Sequence, residues 1–139
     1  MRKIKLFAIL ASLFVAAFAM TSCVTTYDDK DYDHMNAYYA GSTNDWTFTK
    51  MTYDKATDSS SIIIDAVAGT NFKLTGTAAW SIEYDNSYNM TADAAFLDEP
   101  IEEYGKKKTC FKTAGTYKIT MYFDSDAAKA LGFKIEAQQ

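Results

Sequence analysis

Flat apolar rings are the chemistry this chain carries in quantity. Past residue 22 it holds two tryptophans, ten tyrosines and six phenylalanines. Trp46 ends a run of turn-formers, Gly41-Ser42-Thr43-Asn44-Asp45, where burial of the largest side chain is hardest to arrange. Trp80 opens a strand-like stretch that runs to Tyr84. Lys73 sits between Phe72 and Leu74, so in an extended chain its side chain points away from theirs. Tyrosine and tryptophan join a polar tip to an apolar face, which suits half-exposed positions. Such faces stack on the axial C–H groups of a pyranose, while a few fixed donors and acceptors meet the hydroxyls around its edge. The competing roles are structural: Trp80 filling a core, Trp46 delivered inward by its turn, Lys73 solvated on an outer face.

Catalytic and metal chemistry is poorly supplied. The single histidine, His34, lies in an acidic segment without hydrophobic period, where a Ser-His-Asp or Cys-His mechanism would lack the positioning it needs. Cys110, in Lys107-Lys108-Thr109-Cys110-Phe111, reads as a small buried hydrophobe. One histidine and two cysteines are too few for a His/Cys metal site. Carboxylates pair at Glu83 and Asp85, at Asp98 and Glu99, and at Glu102 and Glu103. A glycosidase instead needs two carboxylates on opposite sides of a sugar, about 5–10 Å apart, with one in an apolar pocket. Asp124-Ser125-Asp126 suits a turn or helix cap better than a cation. Neither an enzyme nor a cofactor is expected.

The ends of the chain bear on its location. Arg2, Lys3 and Lys5 precede an apolar run from Leu6 to Met20, 15 residues long. That is short of the roughly 20 residues of a membrane span, and reads as a secretory signal over 1–22. The junction Met20-Thr21-Ser22-Cys23 resembles the lipobox of bacterial lipoproteins. The resemblance implies cleavage before Cys23 and acylation there; several chains at about 0.8 kcal/mol per buried methylene would anchor it permanently. Residues 23–36 read as a tether in which Asp28, Asp29, Asp31 and Asp33 crowd around Lys30. This segment also looks like the acidic signal that sends lipoproteins to the outer face of the outer membrane in Bacteroidota; a plain spacer is the alternative. No glycine turn or twelfth-position glutamate follows to make it a calcium loop. Cleavage would leave 117 residues, enough for one core. Their net charge would be −7, with no arginine. Without a basic stripe or a guanidinium, nucleic acid is not an expected partner.

From 37 to 139 the pattern is that of a single all-β domain. Ala37 to Ala40 opens it, Phe48 to Tyr53 alternates weakly, and Asp54 to Ser61 is rich in turn residues. Ile62 to Val67 is largely β-branched, and Phe72-Lys73-Leu74 is followed by Gly76 and then Trp80 to Tyr84. Tyr117, Ile119, Met121 and Phe123 alternate with polar neighbours, as do Leu131, Phe133 and Ile135. Between these last two, Asp124-Ser125-Asp126 predicts one helical turn over Ala127 to Leu131, ended by Gly132. Short strands separated by turn signals predict an immunoglobulin-like β-sandwich of seven to eight mostly antiparallel strands. Asp85 to Lys108, holding the only proline, reads as a functional loop or lid.

Gly41 to Trp46, followed by Ser59-to-Trp80 (SSSIIIDAVAGTNFKLTGTAAW), is similar to the starch- and glycogen-binding β-sandwich modules, including the glycogen-binding domain of AMP-activated kinase β-subunits. With the lipobox, the acidic tether and the late AGTYKITMYFD and LGFKIEA strands, the chain more nearly resembles the carbohydrate-binding domains of the SusE/SusF outer-membrane lipoproteins. The resemblance runs from about Ala37 to Ala137. It implies Trp46 and Trp80 as stacking platforms and Lys73 as a donor to sugar hydroxyls, with Asn44 shaping the turn. Two departures stand out: Lys107-Lys108-Thr109 where the pattern carries an asparagine, and one domain where SusE/SusF proteins string several. The expectation is a surface-anchored, non-catalytic binder of α-glucan or a related glycan. The alternative is a structural lipoprotein of an outer-membrane transporter complex with no sugar site of its own.

Overall fold

The structure is a computed structural model that describes residues 36–139. Cys23, the aspartates of the tether and His34 lie outside the described residues. The elements, in chain order, are β1 (Tyr38–Gly41), a single 3-10 turn (Ser42–Asn44), β2 (Thr49–Lys50), β3 (Thr52–Asp54), β4 (Ser59–Ala66) and β5 (Asn71–Thr77). They continue with β6 (Ala79–Tyr84), β7 (Met90–Ala92), β8 (Ile101–Glu103), β9 (Lys106–Cys110), β10 (Gly115–Asp124) and β11 (Lys129–Ala137). One sheet has the order β2-β1-β5-β9-β8, with β6 also paired to β5; the other is β3-β4-β10-β11-β7. Every pairing is antiparallel except β7 with β11. The all-β sandwich read from the sequence is the fold of the described residues.

The alternation in β10 explains its central place in the second sheet. Tyr117, Ile119, Met121 and Phe123 are all buried, and their partners Phe133 and Ile135 on β11 and Ile64 on β4 are buried with them. Tyr39, Phe72, Leu74 and Phe111 close the core from the first sheet. Stacked rings run through the interior from Tyr39 to Phe72, Phe111 and Tyr117, at centroid distances of 5.4, 5.8 and 4.4 Å. Offset aromatic contacts of this kind stabilise by about 0.5–1.5 kcal/mol each beyond their buried area. Cys110 is a free, buried thiol, as its setting in the sequence suggested. Burial, assisted by the Asp98 charge, pushes its ionisation up.

Four details differ from the sequence reading. Phe48 to Tyr53 is two strands in different sheets, exchanged at Met51, which is buried and donates its N–H to the Ala37 carbonyl at 2.8 Å. Ser59 and Ser60 belong to β4 and are buried, because small side chains fit where β4 lies between β3 and β10. No helical turn forms after Asp124. Residues 125–128 make a hairpin turn, Ala128 has φ 49°, and β11 begins at Lys129, so strand pairing overrides the local cap. The Asp124 carboxylate still accepts the Ala127 N–H at 3.1 Å. The strands number eleven among the described residues, because β2, β3, β7 and β8 are too short to show an alternation.

One topological feature positions the site. On one edge β5 pairs with β1 throughout residues 72–75. On its other edge β9 takes Asn71 and Phe72, whereas β6 takes Leu74, Thr75 and Thr77. The sheet therefore forks, and Lys73 is the residue at which the partner changes.

Candidate functional site

The turn before Trp46 is held by its own side chains. Asn44 Oδ1 accepts the Gly41 N–H at 3.0 Å, while Asn44 Nδ2 donates to the Thr47 carbonyl at 2.6 Å and to Thr49 Oγ1 at 2.9 Å. This is the turn-shaping role expected of Asn44. Ser42 Oγ accepts the Asn71 N–H at 3.1 Å, and Trp46 donates its N–H to the Gly41 carbonyl at 2.9 Å. Two consecutive residues, Asp45 and Trp46, are left-handed, with φ 52° and 60°. A bulky residue there is strained, and such strain persists where the surroundings over-determine it.

That turn brings Trp46 against Trp80 rather than into the core. The two ring centroids are 6.2 Å apart and the planes are inclined by 52°. Phe48 supports Trp80 from 4.6 Å, a contact the sequence did not single out. Trp80 is 44 % exposed, Trp46 is partly buried, and neither belongs to the core cluster. Both line a cavity of about 660 Å³ on the outside of the first sheet. Lys73 lines it too, from the fork in β5, so all three residues singled out from the sequence meet at one place.

Lys73 is not solvated. Its side chain is 8 % exposed, its ammonium lies 3.4 Å from Glu83 Oε2, and Nζ stands 5.7 Å from the Trp80 ring centroid. Lys108 repeats the arrangement: its side chain is 12 % exposed, it pairs with Glu103, and Nζ lies 4.6 Å from the Trp46 centroid. The Lys108 hydrogen bond and charge hold the Glu103 carboxyl below the usual glutamate range. Each indole is thus polarised by an ammonium, a contact that strengthens where water is partly excluded.

The segment 85–108, read as a loop or lid, is mostly turn and loop but carries three short stretches of strand, β7, β8 and the start of β9. β8 and β9 form a hairpin with Glu103 opposite Lys106. Its two-residue turn, Tyr104-Gly105, has positive φ at both positions, 53° and 72°, as a tight hairpin requires. Glu103, Tyr104, Lys106 and Lys108 from this hairpin form one wall of the cavity. Lys106 and Lys108 are two apart on one strand, a spacing that puts both on one face and was readable in the sequence. Tyr104 is 94 % exposed at the tip. Asp85 braces the hairpin from outside. Burial alone would raise its carboxyl, but hydrogen bonds from Ser87 and the Lys107 N–H, with the Lys106 charge, bring it below the ordinary value.

Among the described residues no group of three His, Cys, Asp or Glu side chains is gathered as a metal site, and no helix is long and apolar enough to cross a membrane. Glu83 and Glu103 are the carboxylates in the cavity, and each is bound to a lysine. A scan against models of known protein families and a search of curated proteins found no match to this chain.

Proposed function

We propose that this protein is a lipid-anchored, non-catalytic glycan-binding module that holds sugar rings in the cavity lined by Trp46 and Trp80. The observation that carries this reading is the pairing of two indoles, one of them 44 % exposed, in the wall of a cavity of about 660 Å³ with charged hydrogen-bonding groups around it. Rings inclined by 52° cannot both lie flat on one pyranose. They suit consecutive residues of a chain that turns, which favours an α-linked glucan over a flat β-linked ribbon. Binding without turnover is supported by the pairing of Glu83 and Glu103 with lysines, which leaves neither in the apolar setting that a glycosidase's general acid needs.

Isothermal titration of the purified protein with malto-oligosaccharides tests the reading. A shallow site with two stacking rings should bind with a Kd of about 0.1–1 mM. Trp46→Ala and Trp80→Ala should each weaken binding by roughly tenfold or more while the fold persists. Unchanged affinity in both variants would place the sugar elsewhere. No binding of glucan, xylan or mannan would pass the reading to a structural lipoprotein that docks on an outer-membrane transporter complex.

A further inference from the structure

The charges around the cavity are more specific than a neutral sugar requires. From residue 36 onward the chain carries ten lysines against fourteen carboxylates. Inside the cavity the balance reverses, with Lys73, Lys106 and Lys108 against Glu83 and Glu103. Two of these ammonium groups are largely withdrawn from water, and each spends one hydrogen bond on a carboxylate. An ammonium has three donors, so both keep donors for a guest. Lys106 makes no ion pair among the described residues, although Asp85 lies within its field and Glu103 faces it across the hairpin. It shares the cavity wall with Lys108, two residues along the same strand. One face of each indole, which would otherwise attract a cationic guest, already has an ammonium group over it.

Resting on the glycan reading above, we propose that the cavity selects an anionic pyranose, one bearing a carboxylate or a sulfate ester, whose negative group sits against Lys106 and Lys108 while its C–H face meets the tryptophans. Lys108 is largely withdrawn from water, which strengthens its attraction for an anion, while Lys106 is exposed and adds charge at the cavity rim. A uronate or sulfated sugar keeps the apolar ring face that stacking requires, so charge and aromatic contact act on one residue.

The test compares three probes on the purified full-length protein by calorimetry: trigalacturonate, a maltotriose carrying one sulfate ester, and maltotriose itself. At least one charged probe should bind about tenfold tighter than maltotriose. Its affinity should fall severalfold between about 20 and about 300 mM salt, as screening shortens the reach of the lysines. Which charged probe is preferred separates a carboxylate from a sulfate guest. Lys106→Gln should bring the ratio of charged to neutral affinity close to one, whereas Lys118→Gln on the other sheet should leave it intact. If maltotriose binds as well as both charged probes, the charge selection is wrong and the glycan reading stands. If none of the three binds, the glycan reading fails and takes this inference with it.

Discussion

At Trp46 a large ring and an unfavourable backbone are held together at φ 60°. A left-handed L-residue costs about 1–2 kcal/mol, and the ring contact with Trp80 returns about 0.5–1.5 kcal/mol. Trp46→Gly removes both, so it should unfold in urea within about 1 kcal/mol of the parent, whereas Trp46→Ala keeps the strain and should be the less stable of the two. A loss beyond about 3 kcal/mol in Trp46→Gly would mean that the ring is part of the core. Asp58 acts far from the cavity. Its carboxylate accepts the Tyr53 hydroxyl and the Ser125 N–H, both at 2.9 Å, tying the β3–β4 turn to the β10–β11 turn. Burial would raise this carboxyl, but the bonds from Ser125 and Tyr53 bring it below its ordinary value. The unfolded chain then binds the proton more readily, so the contribution is present above the ordinary carboxylate pKa and lost as pH falls through the lowered one. Stability of the parent should decline through that acid window. In Asp58→Asn that component should vanish, leaving a flatter acid limb in pH-dependent urea melts.

Among the elements, β1 and the turn after it link core to site. Gly41 has extended backbone, so its need is for space: a Cβ there would lie 2.6 Å from the Tyr39 hydroxyl and 2.8 Å from both the Asn71 carbonyl oxygen and Phe72 Cβ. Gly41→Ala should cost roughly 1–3 kcal/mol by overpacking, measured by thermal unfolding, and should disturb the Trp46 turn that begins at that residue. Gly132 serves the other sheet: with φ 151° it lets Asn89 approach where β7 joins β11, and any Cβ would collide with Asn89. Both glycines were visible in the sequence, but their neighbours across the sheet were not. The same division holds for the site. Trp46 stood out because its turn is a local signal, whereas Lys73 and Trp80 were named as site residues by the resemblance to starch-binding modules. Lys108 could not be placed against Trp46, although its spacing from Lys106 was legible, because only the β8–β9 hairpin brings it there. Glu83 and Phe48 are near Trp80 and Trp46 in sequence, but their contacts with Lys73 and Trp80 form only in the folded sheet. The helical turn expected after Asp124 failed for a related reason, since its residues had a better partner in β10.

For the whole molecule, location is argued from residues outside those the structure describes. The Met20-Thr21-Ser22-Cys23 junction predicts a mature chain that begins with an acylated Cys23, to be read by mass spectrometry of the membrane fraction. A chain beginning at Met1, or an unmodified soluble product, would be contrary to it. If Asp28, Asp29 and Asp31 direct display on the outer face, protease added to intact cells should digest the protein, and alanine at those three positions should leave it protected. The paired indoles carry one more consequence, an optical one. Trp46 and Trp80 are the chain's only tryptophans, and both lie at the cavity while the core holds none. Nearly all fluorescence excited at the red edge of the protein's absorption therefore comes from the cavity, and two transition dipoles 6.2 Å apart at a fixed tilt should couple into a circular-dichroism couplet. The molecule thus carries tryptophan as a spectroscopic label at the cavity and, in Tyr39 and Tyr117, immobilised rings whose near-ultraviolet dichroism reports on the interior. Followed at both, denaturation would distinguish a cavity that loosens early from a sandwich that melts as one unit.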